Sequence, residues 1–129
     1  MPLVTVRDNY YRIVTSRPSP LKPLHFLLLV SLAETERHPY GLKKDIEALE
    51  PGRWRLGPGT LYRAIQQLLD AGLIAESSRR PARELDDERR TYYRLTSAGR
   101  KAAETEAERL TMLVGRKTVR ALSGFRSRG

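Results

Sequence analysis

Gly57-Pro58-Gly59-Thr60-Leu61-Tyr62-Arg63-Ala64-Ile65-Gln66-Gln67-Leu68-Leu69-Asp70-Ala71-Gly72-Leu73-Ile74 reads as a helix with a marked start, a marked stop and two unlike faces. Pro58 suits a first helical position, where its missing N–H costs nothing. Gly72 is the usual left-handed stop. Leu61, Ala64, Ile65, Leu68 and Leu69 fall on one arc at helical spacing. Arg63, Gln66, Gln67 and Asp70 take the opposite arc, with Thr60 and Tyr62 at its edges. No acidic residue lies between Gly52 and Leu69, whereas Arg53, Arg55 and Arg63 do. One face can be buried; the other is neutral to basic and rich in hydrogen-bonding groups, as a helix in the DNA major groove must be. An ordinary amphipathic surface helix carries the same pattern, so the neighbouring segments decide.

Upstream, Pro18, Pro20 and Pro23 punctuate the chain before Leu24–Ala33, which is apolar nearly all round. A helix without a polar face is buried on more than one side. In so short a chain this suggests contact with a second subunit through Phe26 and Leu29 as well as with its own core. Thr35–His38 is a short polar connection, and Pro39 opens a second helix over about Tyr40–Leu49. Leu42, Ile46 and Leu49 keep helical spacing, with Lys43, Lys44, Asp45, Glu47 and Glu50 outside, and Pro51-Gly52 ends it. Trp54, the single tryptophan, lies in the extended link and is expected to pack against the helix pair. Two short helices, the second with a polar-basic face, make a helix-turn-helix.

Downstream, Leu73–Ser77 and the alternating, aromatic Thr91–Thr96 read as two strands. Ser78–Arg90 between them carries five arginines and four acids. Such a charged tip is commonly a solvated loop. A hairpin directly after a reading helix is also a wing, which would bring Arg79, Arg80, Arg83, Arg89 and Arg90 to phosphates or the minor groove. Thr96 or Ser97 caps a last helix, Ala98 to about Leu122. Its thin apolar stripe of Ala103, Ala107, Leu110, Leu113, Val114 and Ala121 runs near heptad spacing and reads as a dimerisation surface. Residues 1–18 mix three arginines with Tyr10, Tyr11, Ile13 and Val14. Partial packing on the domain ranks first; a basic arm or a poorly ordered terminus are the other readings.

The fold expected is thus mainly α with a small β-hairpin wing. Residues 1–19 form an N-terminal extension, 20–96 a winged helix-turn-helix, 97–122 a dimerisation helix and 123–129 a flexible tail. The totals agree with a nucleic-acid partner. The 129 residues suit one small domain, and the net charge is +9. The charge is uneven: 109–129 holds six cations and no acid. There is no cysteine, so no disulfide framework, thiol chemistry or Cys-type zinc site is available. The two histidines, His25 and His38, have no carboxylate cluster at metal spacing, and no metal or cofactor is expected. The longest apolar run, Phe26–Val30, is far too short for a bilayer and no signal-peptide pattern opens the chain. A soluble, cytoplasmic protein is the expectation.

Three pieces, taken in order, resemble a known family. They are His38-Pro39-Tyr40-Gly41; Leu56-Gly57-Pro58-Gly59-Thr60-Leu61-Tyr62-Arg63-Ala64 with Leu68 and Gly72-Leu73-Ile74; and Asp86-Asp87-Glu88-Arg89-Arg90-Thr91-Tyr92-Tyr93-Arg94-Leu95-Thr96 with Gly99-Arg100. Together they resemble the PadR family of bacterial transcriptional regulators, over about Pro20–Val114. The resemblance implies a winged helix-turn-helix repressor, homodimeric through its terminal helices, on a palindromic operator near its own or a neighbouring gene. It puts Thr60 and Tyr62 at the DNA surface and fits the short form with one C-terminal helix. Pro39 stands where many members have Gly, and Arg63 where many have Pro after the motif tyrosine. Some members bind flat aromatic drugs between tryptophans of the last helix; this last helix has none, and that activity is not carried over.

The roles expected on α-helical position and residue type are these. Arg63 would pair with guanine, Gln66 and Gln67 with adenine, and Thr60, Tyr62 and the amides at the helix start, including Gly59, would hold phosphates. A small-molecule effector pocket between the last helix and the reading domain is compatible with the layout, without a motif that identifies it. Against an enzyme stand the absence of a P-loop, a dinucleotide fingerprint, H-E-x-x-H and a nucleophile triad. A nonspecific nucleic-acid coat or a protein-binding winged helix are the alternatives. The first lacks an aromatic stacking platform, and the basic charge counts against the second.

Overall fold

A computed structural model describes residues 21–78 and 91–124 of the chain. Within them lie α1 (Pro23–Glu34), α2 (Pro39–Leu49), α3 (Pro58–Asp70), β1 (Ile74–Glu76), β2 (Tyr93–Leu95), α4 (Ser97–Val114) and α5 (Lys117–Ser123). The extension at 1–19, the hairpin tip and the final residues 125–129 lie outside the described residues.

Each of the first three helices opens on a proline after an extended residue. Proline there sets φ for the helix and removes an amide that would have no partner. α2 is capped by His38, whose Nδ1 accepts the Gly41 N–H at 3.1 Å. α3 closes at Gly72, φ +78. The Gly72 N–H reaches the Leu69 carbonyl and the Leu73 N–H the Leu68 carbonyl, both at 3.0 Å. This Schellman pair buries Leu68 and Leu73 together in the core.

From that stop the chain turns directly into β1, which pairs antiparallel with β2 in the register Ile74↔Leu95, Ala75↔Arg94, Glu76↔Tyr93. The strands are shorter than expected, by two residues in β1 and three in β2. Thr96 then starts α4. Its hydroxyl accepts the Gly99 N–H at 3.0 Å and donates to the Gly72 carbonyl at 2.8 Å, so one side chain caps α4 and ties it to the end of α3.

The core is Leu28, Leu29 and Leu32 of α1, Leu42 and Ile46 of α2, Leu56, the inner arc of α3 and Leu73, Ile74 and Tyr93 of the hairpin. Helix α1 is the hub and packs against α2, α3, α4 and β2. Its all-round apolarity is therefore largely met within one chain. Leu29 is wholly buried there, which corrects its assignment to a subunit contact; Phe26 remains half-buried.

The expected single C-terminal helix is two. α4 ends at Val114, and Arg116 is extended (φ −71, ψ 141) before α5 begins. Gly115 sits at the break, where glycine's entropy cost of about 1 kcal/mol in a helix interior favours a stop. α5 runs one residue past the expected end and closes on left-handed Gly124. Among the described residues no helix is long and apolar enough to cross a membrane.

Candidate nucleic-acid interface

α3 buries Leu61, Ala64, Ile65 and Leu68 and exposes Gly59, Thr60, Tyr62, Arg63, Gln66, Gln67 and Asp70. The outer face thus holds every α3 residue singled out for DNA contact. By helical position, Gly59, Arg63, Gln66 and Asp70 form its central ridge. The helix starts on Gly57 without a side-chain cap. The amides of Gly59 and Thr60 in its first turn have no carbonyl within the helix to receive them. Gly59 leaves open space: a Cβ there would meet only the Arg63 Nη2, at 4.0 Å.

The two glutamines are not equivalent. Gln66 Nε2 donates to Asp70 Oδ1 one turn on, at 2.9 Å. Gln67 accepts at Oε1 from His25 Nε2 of α1, also at 2.9 Å. Burial lowers the His25 pKa, the bond to Gln67 raises it by less, and Lys22 adds to the lowering. The ring is thus held toward its neutral form. An amide oxygen has two lone pairs, so the bond from His25 holds the Gln67 side chain while leaving one of them.

On the opposite flank, Tyr62 faces α2. Pro39, Tyr40 and Lys43 of α2 meet Pro58, Leu61 and Tyr62 of α3 across a groove of about 330 Å³ that also includes Leu56. Tyr40 is 60% exposed, its ring 6.4 Å from that of His38 and 5.4 Å from the Lys44 ammonium. Tyr40 and Lys43 were not singled out from the sequence. The available signal was an aromatic directly after a helix-opening proline, off the Leu42–Ile46 stripe.

The base of the hairpin is anchored to the turn before α2. Arg37 pairs with Tyr93 as an antiparallel bridge. The Ser77 hydroxyl donates to Glu36 at 2.6 Å, and His38 meets the Tyr92 ring edge-on at 5.2 Å. Trp54 donates to Glu50 at 2.6 Å and packs on the core, as expected. Arg79, Arg80, Arg83, Arg89 and Arg90 lie outside the described residues. Along the C-terminal helices, Ala103 is half-buried against the core and Leu110 is half-buried, while Ala107, Leu113, Val114 and Ala121 are exposed. Glu106 is buried on the same helix. It takes both Arg109 donors, at 3.0 and 2.7 Å, and these bonds raise the Arg109 pKa. No cluster of metal-ligating side chains occurs among the described residues.

A helix pair whose second member presents a polar, acid-poor ridge, followed at once by a two-stranded hairpin, is a winged helix-turn-helix. The sequence model of the transcriptional regulator PadR-like family matches residues 28–105. The chain belongs to this family, whose members are DNA-binding transcriptional regulators and not enzymes. No curated protein sequence matches it. The fold is similar to that of a PadR-like regulator from Bacillus cereus strain ATCC 14579, at 20% identity and TM-score 0.63 over 78% of this chain and 91% of that one. A PadR family regulator from Clostridium difficile R20291 is similar at 21% identity and TM-score 0.62, over 78% and 97% of the two chains. RosR of H. salinarum is similar at 24% identity and TM-score 0.59, over 80% and 86%. These likenesses concern the fold.

Proposed function

We propose that the protein is a cytoplasmic repressor that binds, as a homodimer, a palindromic operator near its own or a neighbouring gene. The observation that carries this reading is the outer ridge of α3. Arg63 and Gln66 stand exposed above an open Gly59, with an uncapped helix start beneath them and the base of the hairpin anchored one element away. Arg63 reads guanine, Gln66 and the His25-held Gln67 read adenine, and Thr60, Tyr62 and the first-turn amides hold phosphates. The wing arginines Arg79, Arg80, Arg83, Arg89 and Arg90 add charge-based affinity.

Dimerisation through the C-terminal helices is supported by apolar surface that one chain leaves in water. Leu113 and Val114 are 43% and 47% exposed, with Met112 and Leu122 more so. Phe26, Ala103, Ala107, Leu110 and Ala121 complete the proposed contact; Leu29 does not belong to it. Two half-sites related by a two-fold axis follow from a two-fold dimer.

The test is binding to DNA from upstream of the protein's own gene, with excess unrelated DNA as competitor and mass measured for the complex. Two protomers on a competitor-resistant site support the proposal. Fully competed binding, or one protomer per site, contradicts it. Adding small molecules to the same assay reads out release by an effector.

A further inference from the structure

The outer ridge of α3 carries one acid. Asp70 is the only carboxylate of the helix, and an anion on a face that meets phosphates works against affinity. As an exposed partner for Gln66 one turn back it stabilises the helix only slightly. What it does to Gln66 is more specific. The Gln66 amino group donates to Asp70 Oδ1 at 2.9 Å. An ionised carboxylate accepts hydrogen bonds and cannot donate them, so it can hold only the amino end of the amide. Gln67 is held by its other end: His25 Nε2 lies 2.9 Å from its Oε1, a pairing that requires the ring proton on Nε2. Two adjacent glutamines are thus tied in opposite senses, one from within α3 and one from α1.

We propose that Asp70 and His25 are positioning residues that set sequence preference through the two glutamines: Gln66 offers a base its carbonyl oxygen, and Gln67 its amino group. The inference rests on the base-reading assignment of α3 and divides it between the two side chains. A bidentate adenine contact needs the oxygen and nitrogen of one amide to face N6 and N7 together. An amide tied at one end to a neighbour on the helix surface lies along that surface and meets the base with its other end.

The base edges then sort by donor and acceptor. Gln66 accepts from a base amino group, which adenine and cytosine present in the major groove and guanine and thymine do not. Gln67 donates to an acceptor, which adenine, guanine and thymine present there and cytosine does not. Both side chains accept adenine, but each also admits other bases, and the bases admitted differ. Gln66, Gln67 and Asp70 are exposed, whereas His25 is half-buried. His25 thereby acts on the reading face from α1 without standing on that face itself.

The experiment selects with the full chain from a pool of duplexes randomised over their central base pairs, and sequences the bound fraction. Gln66→Ala and Gln67→Ala locate the two positions by the preferences they erase. At the first, wild type is expected to favour adenine and cytosine over guanine and thymine by about tenfold, and at the second to disfavour cytosine by about the same factor. Asp70→Asn gives Gln66 a partner that can hold either end, so guanine and thymine are admitted at the first position only. The same variant gains affinity for every duplex through the loss of one negative charge. Asp70→Glu keeps an acceptor-only group and is expected to keep the wild-type preference. His25→Phe fills the same space without a donor and is expected to admit cytosine at the second position only. Three results would overturn the inference and leave DNA binding by α3 intact: cytosine rejected at the Gln66 position, unaltered preferences in Asp70→Asn and His25→Phe, or no preference erased by either alanine variant. If the wild type enriches no sequence, base reading itself falls and takes the inference with it. Thermal unfolding of the variants, expected to match wild type, separates a lost orientation from a lost fold.

Discussion

The backbones of Arg37 and Tyr93 exchange two hydrogen bonds: the Arg37 N–H reaches the Tyr93 carbonyl at 3.2 Å, and the Tyr93 N–H the Arg37 carbonyl at 2.8 Å. The side chain of the same Arg37 donates through Nε to Asp45 of α2 at 2.7 Å, and Ser31 of α1 donates to that carboxylate oxygen at 2.5 Å. One residue thereby joins the wing strand to both helices in front of the reading helix. The base of the hairpin is tied to α1 and α2 at this joint.

Removing the carboxylate therefore strands two donors, one of them the buried Ser31 hydroxyl. Asp45→Ala is expected to cost about 1–3 kcal/mol, read as a lower urea midpoint with an unchanged m-value. A midpoint equal to wild type would mean that water replaces the carboxylate without loss.

The same pair predicts a pH dependence. Burial pushes the Asp45 pKa up, but the hydrogen bonds from Ser31 and Arg37 and the Arg37 charge outweigh it and leave the carboxyl below its usual 3.8. A lowered folded-state pKa contributes stability above the unfolded value, and that contribution is lost as pH falls through the folded one. The stability gap between wild type and Asp45→Asn is thus expected at neutral pH and to close on acidification below the carboxylate range. Urea midpoints across pH check this; a gap that widens in acid would contradict it.

Two glycines should behave oppositely. A Cβ on Gly99 would sit 2.0 Å from the Leu73 carbonyl oxygen, whereas on Gly59 nothing but the Arg63 guanidinium comes within 4.0 Å. Gly99→Ala must push α4 away from the end of α3, and about 3 kcal/mol of destabilisation is expected. Gly59→Ala should hold the melting temperature at or slightly above wild type and weaken DNA binding. Equal melting temperatures for the two variants would contradict this packing.

What was legible in the sequence follows from where the information sits. Pro58 and Gly72 bracket α3 within the chain itself, and Leu61, Ala64, Ile65 and Leu68 mark its inner face, so its span and its outer residues could be read directly. Leu29 could not. An apolar pattern says that a residue is covered but not by which helix, and here the cover comes from the same chain. The stop at Gly115 was hidden because the apolar stripe continues past it. Tyr40 and Tyr62 lie more than twenty residues apart, and only the fold of α2 against α3 makes them two walls of one groove. The bond from His25 to Gln67 spans 42 positions and was equally invisible.

Specificity and affinity should separate by element. Arg63→Ala is expected to lose about 1–3 kcal/mol of discrimination between operator and unrelated DNA, since a bidentate guanine contact carries sequence information. Arg79→Ala is expected to weaken both complexes about equally and to reduce the salt slope by about one. Competition binding with both duplexes measures the ratio. An unchanged ratio for Arg63→Ala would remove it from base reading.

Whether a two-fold protein sits on a specific site is decided by titrating the protein onto labelled DNA from upstream of its own gene, by anisotropy at two salt concentrations with excess unrelated competitor. Mass is determined for the complex, with Leu113→Glu/Val114→Glu as the monomerising control. A competitor-resistant complex with two protomers per site is expected, with loss of tight binding in the control. Weak binding that salt and competitor abolish alike, or a control that binds as tightly as wild type, would contradict it.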